Sequence, residues 1–161
     1  MSQFTKALVV TPLADGRTWV LMEPFSYDVG HEGSGDTVHV PVKFMTDFAS
    51  VPRPMWIVFP QWGKYGNAAV IHDWGYWSKD RSKAQTDLIF LEGMKVLGVR
   101  PVTRTLMYLA VHLFGGWAWR SAGKRRARSE SKVAFRIPEK STDEKADLAG
   151  QPLSPREMPR H

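Results

Sequence analysis

The sequence predicts an α+β fold in which N-terminal antiparallel β hairpins pack on a three-helix C-terminal part, followed by a disordered basic tail. Residues 4–45 contain short β-branched and aromatic runs between turn-forming segments, and residues 64–126 carry helical periodicity. Beyond about residue 128 the chain is rich in Ser, Pro, Lys and Glu and has few large apolar residues. We therefore predict a single domain at 1–127 and a mostly disordered tail at 128–161.

Three segments near the N-terminus have the composition of strands: FTKALVVTPL, RTWVLMEPFSYDV and DTVHVPVKF. The ADG and GHEGSGD segments between them supply turns. The run TVHVPV alternates, which places Val38, Val40 and Val42 on one face. Pro41 has no N–H for a ladder hydrogen bond, so we expect it at a sheet edge or a strand end. The segment TDFASVPRPMW that follows contains two prolines and predicts an ordered loop.

Helical periodicity predicts three helices, at about 64–77, about 80–97 and about 100–126. Ser78 or Asp80 is the expected N-cap of the second helix, and Gly98 is its expected stop. The third helix opens with Pro101 in its first turn and is loosened at the Gly115–Gly116 pair.

Composition excludes several classes of protein. The chain of 161 residues is 43% hydrophobic, which is enough for one cored domain, and it contains no cysteine. A disulfide framework and a thiolate metal site are therefore excluded. The N-terminal residues MSQFTKALVV lack the form of a signal peptide. The longest apolar run, residues 106–119, is shorter than the roughly 20 residues that span a bilayer, so we expect no transmembrane segment.

The net charge of +6 belongs to the C-terminal end of the chain. Residues 120–161 carry 11 Lys and Arg against 6 Asp and Glu, whereas residues 1–119 carry 11 against 10. The predicted domain is thus nearly neutral. No nucleic-acid-reading motif accompanies the basic tail. We therefore expect the tail to add only weak contact with nucleic acid or anionic lipid.

A candidate site lies in AAVIHDWGYWSKDRSKAQTDLIF, residues 68–90. In a helix His72 has small neighbours at Ala68 and Ala69, which leaves space beside its ring. On the next helix Asp87 interrupts an apolar stripe, composed of Ala84, Leu88, Leu91 and Met94. A buried carboxylate requires a partner, and a short linker makes the two helices neighbours. We therefore expect a direct hydrogen bond between Asp87 and His72.

Two interpretations of this pair stay open. In the first, the pair is a structural hydrogen bond within the core. In the second, Asp87 fixes the tautomer of His72, whose other ring nitrogen accepts a proton from water. Asp73 points about 100° away from His72 and would hold a cation that polarises a substrate carbonyl.

Several uncommon strings occur in one order: FMTDFASVPR, KYGNAAVIHDWGY, R..AQTDLIF.EGM and LMYLAVHLFG. Together they resemble a phage and prophage family catalogued as domain of unknown function 1353, over roughly residues 20–120. The resemblance implies a viral or prophage origin and brings no established activity. It therefore implies a location in the host cytoplasm or in the virion.

The string HDWGY with a later aspartate also resembles the active-site helices of phospholipase A2 enzymes. By this resemblance His72 is the base for an attacking water, Asp73 is a calcium ligand, and Tyr76 and Asp87 support the histidine. Those enzymes carry a calcium-binding loop with glycine and cysteine before the helix, and this chain has FPQWGKYGN there. Asp47 is the residue expected to supply the missing ligand. Calcium is accordingly the expected cofactor.

Two function classes follow. The first is a phage-encoded hydrolase that uses calcium-assisted water attack on a phospholipid ester. Its apolar helix at 106–119 would rest on a membrane surface, although the same pattern also describes a core helix. The second is a non-enzymatic phage virion or host-interaction protein, in which the His–Asp cluster is structural and other phage proteins are the partners. Nucleases and HD-type phosphohydrolases form a third class, but the further histidines that such sites need are not suitably spaced.

Overall fold

Antiparallel strands and helices form the part of the chain that the computed structural model describes, residues 3–13, 18–48, 64–127 and 132–133. The strands are β1 (Gln3–Phe4), β2 (Val10–Pro12), β3 (Trp19–Leu21), β4 (Phe25–Asp28), β5 (Thr37–Val40) and β6 (Met45–Thr46). The helices are α1 (Gly66–Ser78), α2 (Lys83–Val96), α3 (Pro101–Phe114) and α4 (Gly116–Ala127). The predicted α+β class is confirmed.

The strands form two small antiparallel sheets, in the orders β1-β4-β5 and β2-β3-β6. The predicted turn chemistry appears between β4 and β5, where Gly30, Gly33 and Gly35 all have positive φ. Pro41 directly follows β5, as expected for a strand end. Val42 does not share the buried face of Val38 and Val40: it is exposed, because β5 ends at Val40.

One face of the β4–β5 hairpin packs into the core. Phe25 and Tyr27 of β4 are buried, as are Val38 and Val40 of β5, while the residues between them face outward. The same core contains buried residues of α1 and α2, and the Tyr27 hydroxyl donates to Glu92 Oε1 at 2.8 Å. The sheet is therefore tied to α2 by both apolar burial and a hydrogen bond.

Small residues let α1 and α2 approach closely. A Cβ added to Gly93 would lie 3.1 Å from the Ala68 Cβ, and one added to Gly75 would lie 2.5 Å from a Thr86 methyl carbon. The space beside the small side chain of Ala68 is thus occupied by α2. The volume that a small side chain leaves is filled by the neighbouring helix.

Helix α2 begins and ends at clear signals. Its N-cap is Ser82, which forms a capping box with Gln85, rather than Ser78 or Asp80. Its stop is as expected, because the helix ends at Val96 and Gly98 follows with φ 67°. The buried residues of α2 are Thr86, Asp87, Ile89, Phe90, Gly93 and Met94. The predicted stripe is therefore partly wrong, since Ala84 and Leu88 are exposed and the row through Asp87 and Phe90 faces inward.

The predicted third helix is two helices, α3 and α4, separated at Gly115. A Cβ on Gly115 would lie 2.5 Å from the hydroxyl oxygen of Tyr76 on α1. The residue at this break must therefore lack a side chain, and two adjacent glycines weaken the helix further. The three-helix arrangement is corrected to four helices in the described part of the chain.

The described segment at 132–133 lies against the β6 end of the second sheet. Met45 N donates to Lys132 O at 2.7 Å, and Phe44 and Val133 form an isolated antiparallel bridge. The rest of the predicted tail, and the TDFASVPRPMW loop beyond residue 48, lie outside the described residues. None of the described helices has the length and apolarity needed to cross a membrane.

Candidate functional site

A buried carboxylate, Asp87 of α2, accepts hydrogen bonds from three helices. Its Oδ1 receives His72 Nε2 at 3.0 Å and the Tyr76 hydroxyl at 2.8 Å, both from α1. Its Oδ2 receives Lys83 Nζ at 2.6 Å and His112 Nδ1 of α3 at 3.3 Å. Asp87 and His72 are both buried. The hydrogen bond between Asp87 and His72 that the helical periodicity predicted is present.

The carboxyl group of Asp87 stays ionised despite its burial. Burial alone raises its pKa, but hydrogen bonds from His72, Lys83 and Tyr76 outweigh this effect and lower the pKa to about 2. An ionised carboxylate only accepts hydrogen bonds. The proton of the His72–Asp87 hydrogen bond therefore belongs to His72 Nε2, which sets the tautomer of a neutral His72 ring.

Aromatic rings fix the orientation of His72. The Tyr76 ring centroid lies 4.2 Å from that of His72, and the Phe90 centroid lies 4.9 Å away. Tyr76 also packs edge-on against Trp119 of α4 at 5.1 Å. Burial and the neighbouring Asp87 raise the pKa of Tyr76, so its hydroxyl remains a proton donor. The imidazole is therefore held on its faces as well as at Nε2.

Lys83 and His112 also belong to the cluster, although neither was predicted from the sequence. Lys83 lies one helical turn before Asp87, a spacing at which side chains meet. Its Nζ also donates to Val111 O at 3.0 Å and to His112 O at 2.9 Å, at the C-terminal end of α3. The i,i+4 spacing was a usable signal for Lys83. The contribution of His112 depends on how α3 packs, which periodicity does not give.

The structure places Asp73 away from this cluster, as the helical angle predicted. Asp73 Oδ2 accepts the Thr46 hydroxyl at 2.5 Å, and Thr46 Oγ1 in turn accepts Phe48 N at 3.2 Å. Asp47, the chain neighbour of Thr46, is exposed and lines a pocket of about 250 Å³ with Arg125 and Lys132. The two predicted metal ligands are thus linked through the β6 end but are not joined to Asp87.

These residues do not fit a preformed calcium site. Asp73 is engaged by a protein hydroxyl, and the pocket beside Asp47 contains two basic side chains that repel a cation. Within the described ranges, no group of three or more His, Asp or Glu side chains is placed to hold a metal ion. Calcium sites use six to eight oxygen ligands. We therefore derive no chemical step through a metal.

Comparison with known proteins finds a family that covers the cluster except His112. The sequence profile of the family described as "Protein of unknown function (DUF1353)" matches residues 19–111, which include all five residues predicted for the site. The chain is also similar to "Uncharacterized protein y4jT" of Sinorhizobium fredii (strain NBRC 101917 / NGR234). The two are 34% identical over 97 residues, which are 59% of this chain and 28% of that relative. This chain thus matches little more than a quarter of the relative's length.

No solved structure matches the chain, so the phospholipase A2 resemblance gains no support from known folds. The family profile, in contrast, covers more than half of the 161 residues. The chain belongs to the DUF1353 family of proteins of unknown function.

Proposed function

We propose that this chain is an ester hydrolase acting on phospholipids, with His72 as the general base. A single observation carries the proposal: Asp87 Oδ1 accepts both His72 Nε2 at 3.0 Å and the Tyr76 hydroxyl at 2.8 Å. A base oriented in this way by a buried carboxylate is the arrangement on which water activation by histidine depends. Asp87 and Tyr76 are positioning residues, because they act through His72.

The proton transfers of the proposed step balance without a covalent enzyme intermediate. Because Nε2 donates to Asp87, a proton taken from water would be bound at Nδ1 of His72. The water oxygen attacks the ester carbonyl carbon, and the bond from that carbon to the alcohol oxygen breaks. The imidazolium then returns its proton to the leaving alcohol. The products are a fatty acid and a lysophospholipid.

The test is fatty-acid release from phospholipid vesicles by the purified full chain. Parallel reactions contain calcium, a chelator, or neither. The proposal expects release that increases in proportion to the protein concentration. Release that persists in chelator would show that His72 acts without a metal, and release only with calcium would assign a metal to a site completed outside the described residues. Absence of release under all three conditions would refute the proposal.

A second candidate function, a non-enzymatic phage virion or host-interaction protein, is favoured by the closure of the cluster. Lys83 pairs with Asp87 and so partly neutralises the charge that would stabilise a His72 imidazolium. His72 is only 2% exposed, and every buried side-chain N and O in the described part has a hydrogen-bond partner. In this candidate the cluster joins α1, α2 and α3 and has no chemical role.

Turnover, and not stability, separates the two candidates. His72→Asn breaks the buried hydrogen bond from His72 to Asp87 in both, so under either candidate it should cost about 1–3 kcal/mol. A folded wild type that releases no fatty acid would favour the non-enzymatic candidate.

A further inference from the structure

Helix α3 exposes a continuous apolar stripe, here called the α3 stripe, composed of Val102, Leu106, Leu109 and Leu113. These side chains are between 43% and 73% exposed. At 3.6 residues per turn they fall within an arc of roughly 60°. The buried residues Met107, Ala110 and Val111 occupy a different face. An ordinary surface helix places polar residues where the α3 stripe lies.

The exposed apolar side chains continue past the end of α3. Phe114 is 73% exposed, and Trp117, in the first turn of α4, is 79% exposed. Trp117 shares its helical face with Arg120 and Lys124, which follow it by three and seven residues and are both exposed. The α3 stripe, Phe114 and Trp117 together are called the α3–α4 surface.

The Lys, Arg, Asp and Glu side chains in this part of the chain are all of one sign. Residues 101–127 contain five Lys and Arg residues, namely Arg104, Arg120, Lys124, Arg125 and Arg126, and no Asp or Glu. A helix with exposed Leu, Phe and Trp beside a basic segment is typical of helices that lie in the interface of an anionic bilayer. Its cations attract anionic headgroups, and its apolar side chains enter the region below them.

The α3–α4 surface adjoins the His72 cluster. Lys83 Nζ, which pairs with Asp87, also holds the carbonyl oxygens of Val111 and His112, the residues just before Leu113. Tyr76 packs against Trp119 of α4. The junction of α3 and α4 is therefore built onto the cluster itself.

We propose that the α3–α4 surface docks the protein on an anionic phospholipid bilayer. This proposal states how the proposed hydrolase would reach its lipid substrate. The biological purpose of the docking rests on the proposed hydrolase function, whereas the docking itself does not. A second copy of the chain is a poorer occupant, because a symmetric pairing brings two acid-free basic segments together. Nucleic acid is a poorer occupant too, because the exposed side chains are mainly aliphatic and lack polar groups for phosphates or bases.

The test is co-flotation of the full chain with vesicles of phosphatidylcholine alone or of an equal mixture with phosphatidylglycerol. The His72→Asn chain is used throughout, so that hydrolysis cannot alter the vesicles. We expect binding to the mixed vesicles that weakens as salt is raised. Leu109→Ser with Leu113→Ser should weaken it by at least about tenfold, because apolar area that enters the bilayer is lost. Arg120→Gln with Lys124→Gln should weaken it about fivefold per cation removed.

The matched control is Leu88→Ser, which removes an exposed leucine from α2 and should leave vesicle binding unchanged. Melting temperatures establish that each variant is folded. Three results would overturn the proposal. The first is no binding to mixed vesicles, and the second is an equal loss of vesicle binding for Leu88→Ser and for the double substitution Leu109→Ser with Leu113→Ser. The third is a dimer in sedimentation that the double substitution abolishes. Vesicle binding by the His72→Asn chain, with no fatty-acid release by the wild type, would refute the hydrolase and leave this surface standing. Release from a dispersed short-chain ester without vesicle binding would do the reverse.

Discussion

Replacement of Asp87 by Asn is the sharpest perturbation of the cluster, because it keeps the shape of the side chain and removes its charge. Asp87 accepts four hydrogen bonds, two at each oxygen. Asn offers one acceptor oxygen and one NH2 group, so two of the four donors lose their acceptor. The NH2 group would face Lys83 if the amide oxygen stays with His72 and Tyr76. The half-buried ammonium group of Lys83 would then have no counter-ion at this position.

The size of the effect follows from that lost ion pair. Removing one partner of a buried pair costs about 3–5 kcal/mol. Lys83 keeps the carbonyl oxygens of Val111 and His112, at 3.0 and 2.9 Å, and its side chain is 20% exposed. We therefore expect Asp87→Asn to lower the free energy of unfolding by about 3 kcal/mol, at the low end of that range.

Urea denaturation of a double-mutant cycle measures this effect. Lys83→Met removes the cation while Asp87 keeps His72, Tyr76 and His112 as donors. Asp87→Asn should then cost less in the Lys83→Met background than in the wild type, with a coupling energy of about 2 kcal/mol. Effects that add within about 0.5 kcal/mol would refute the account of a charge-paired cluster.

The pH dependence of stability gives a second readout of Asp87. Its pKa falls from 3.8 to about 2 on folding, so the stability that it contributes is complete above pH 4. That contribution, about 2 kcal/mol at 1.36 kcal/mol per unit, is lost as the pH falls from about 4 to about 2. Asp87→Asn should therefore lose less stability than the wild type across this window. Parallel losses in the two chains would contradict the assigned pKa.

Two further predictions concern the contact between α1 and α2 and the segment at 132–133. Gly75→Ala should cost about 1–3 kcal/mol in chemical denaturation, because its Cβ would lie 2.5 Å from a threonine methyl group on α2. In the control Gly123→Ala the Cβ would lie 3.7 Å from its nearest neighbour, so this change should stabilise the chain by about 0.5–1 kcal/mol. Equal changes in the free energy of unfolding for Gly75→Ala and Gly123→Ala would contradict the close contact between the helices. Truncation after residue 127 removes the hydrogen bond from Met45 to Lys132 and should cost about 1–2 kcal/mol with unfolding still cooperative. Loss of cooperativity would show that the tail belongs to the domain.

The sequence predicted those parts of the fold that depend on local pattern. Glycine-rich turn chemistry located the β4–β5 hairpin, and 3.6-residue periodicity with a short linker brought Asp87 to His72. The Ser82 cap was missed although its capping box with Gln85 is a local signal, and Ser78 is instead the last residue of α1. The contact that excludes a side chain at Gly115 is tertiary, because it involves the Tyr76 hydroxyl of α1, and a sequence pattern does not give it.

The site shows the same division. An i,i+4 pair such as Lys83 and Asp87 is visible in a sequence, whereas the approach of His112 depends on the packing of α3 against α2. The outward direction of the α3 stripe could not be predicted either. An apolar row at helical spacing is normally the core face, and only the buried positions of Met107 and Val111 show that α3 packs on another side.

One comparison of rates tests whether His72 is the base of a hydrolase. Fatty-acid release from anionic vesicles is measured for the wild type, for His72→Asn and for His39→Asn, each at the same concentration of folded protein. His39 is exposed on β5, where it contacts Ser26, and it serves as the matched histidine control. We expect His72→Asn to lower the rate by at least about a hundredfold and His39→Asn to retain it. An inactive wild type, or a His72→Asn rate equal to that of the wild type, would contradict the claim.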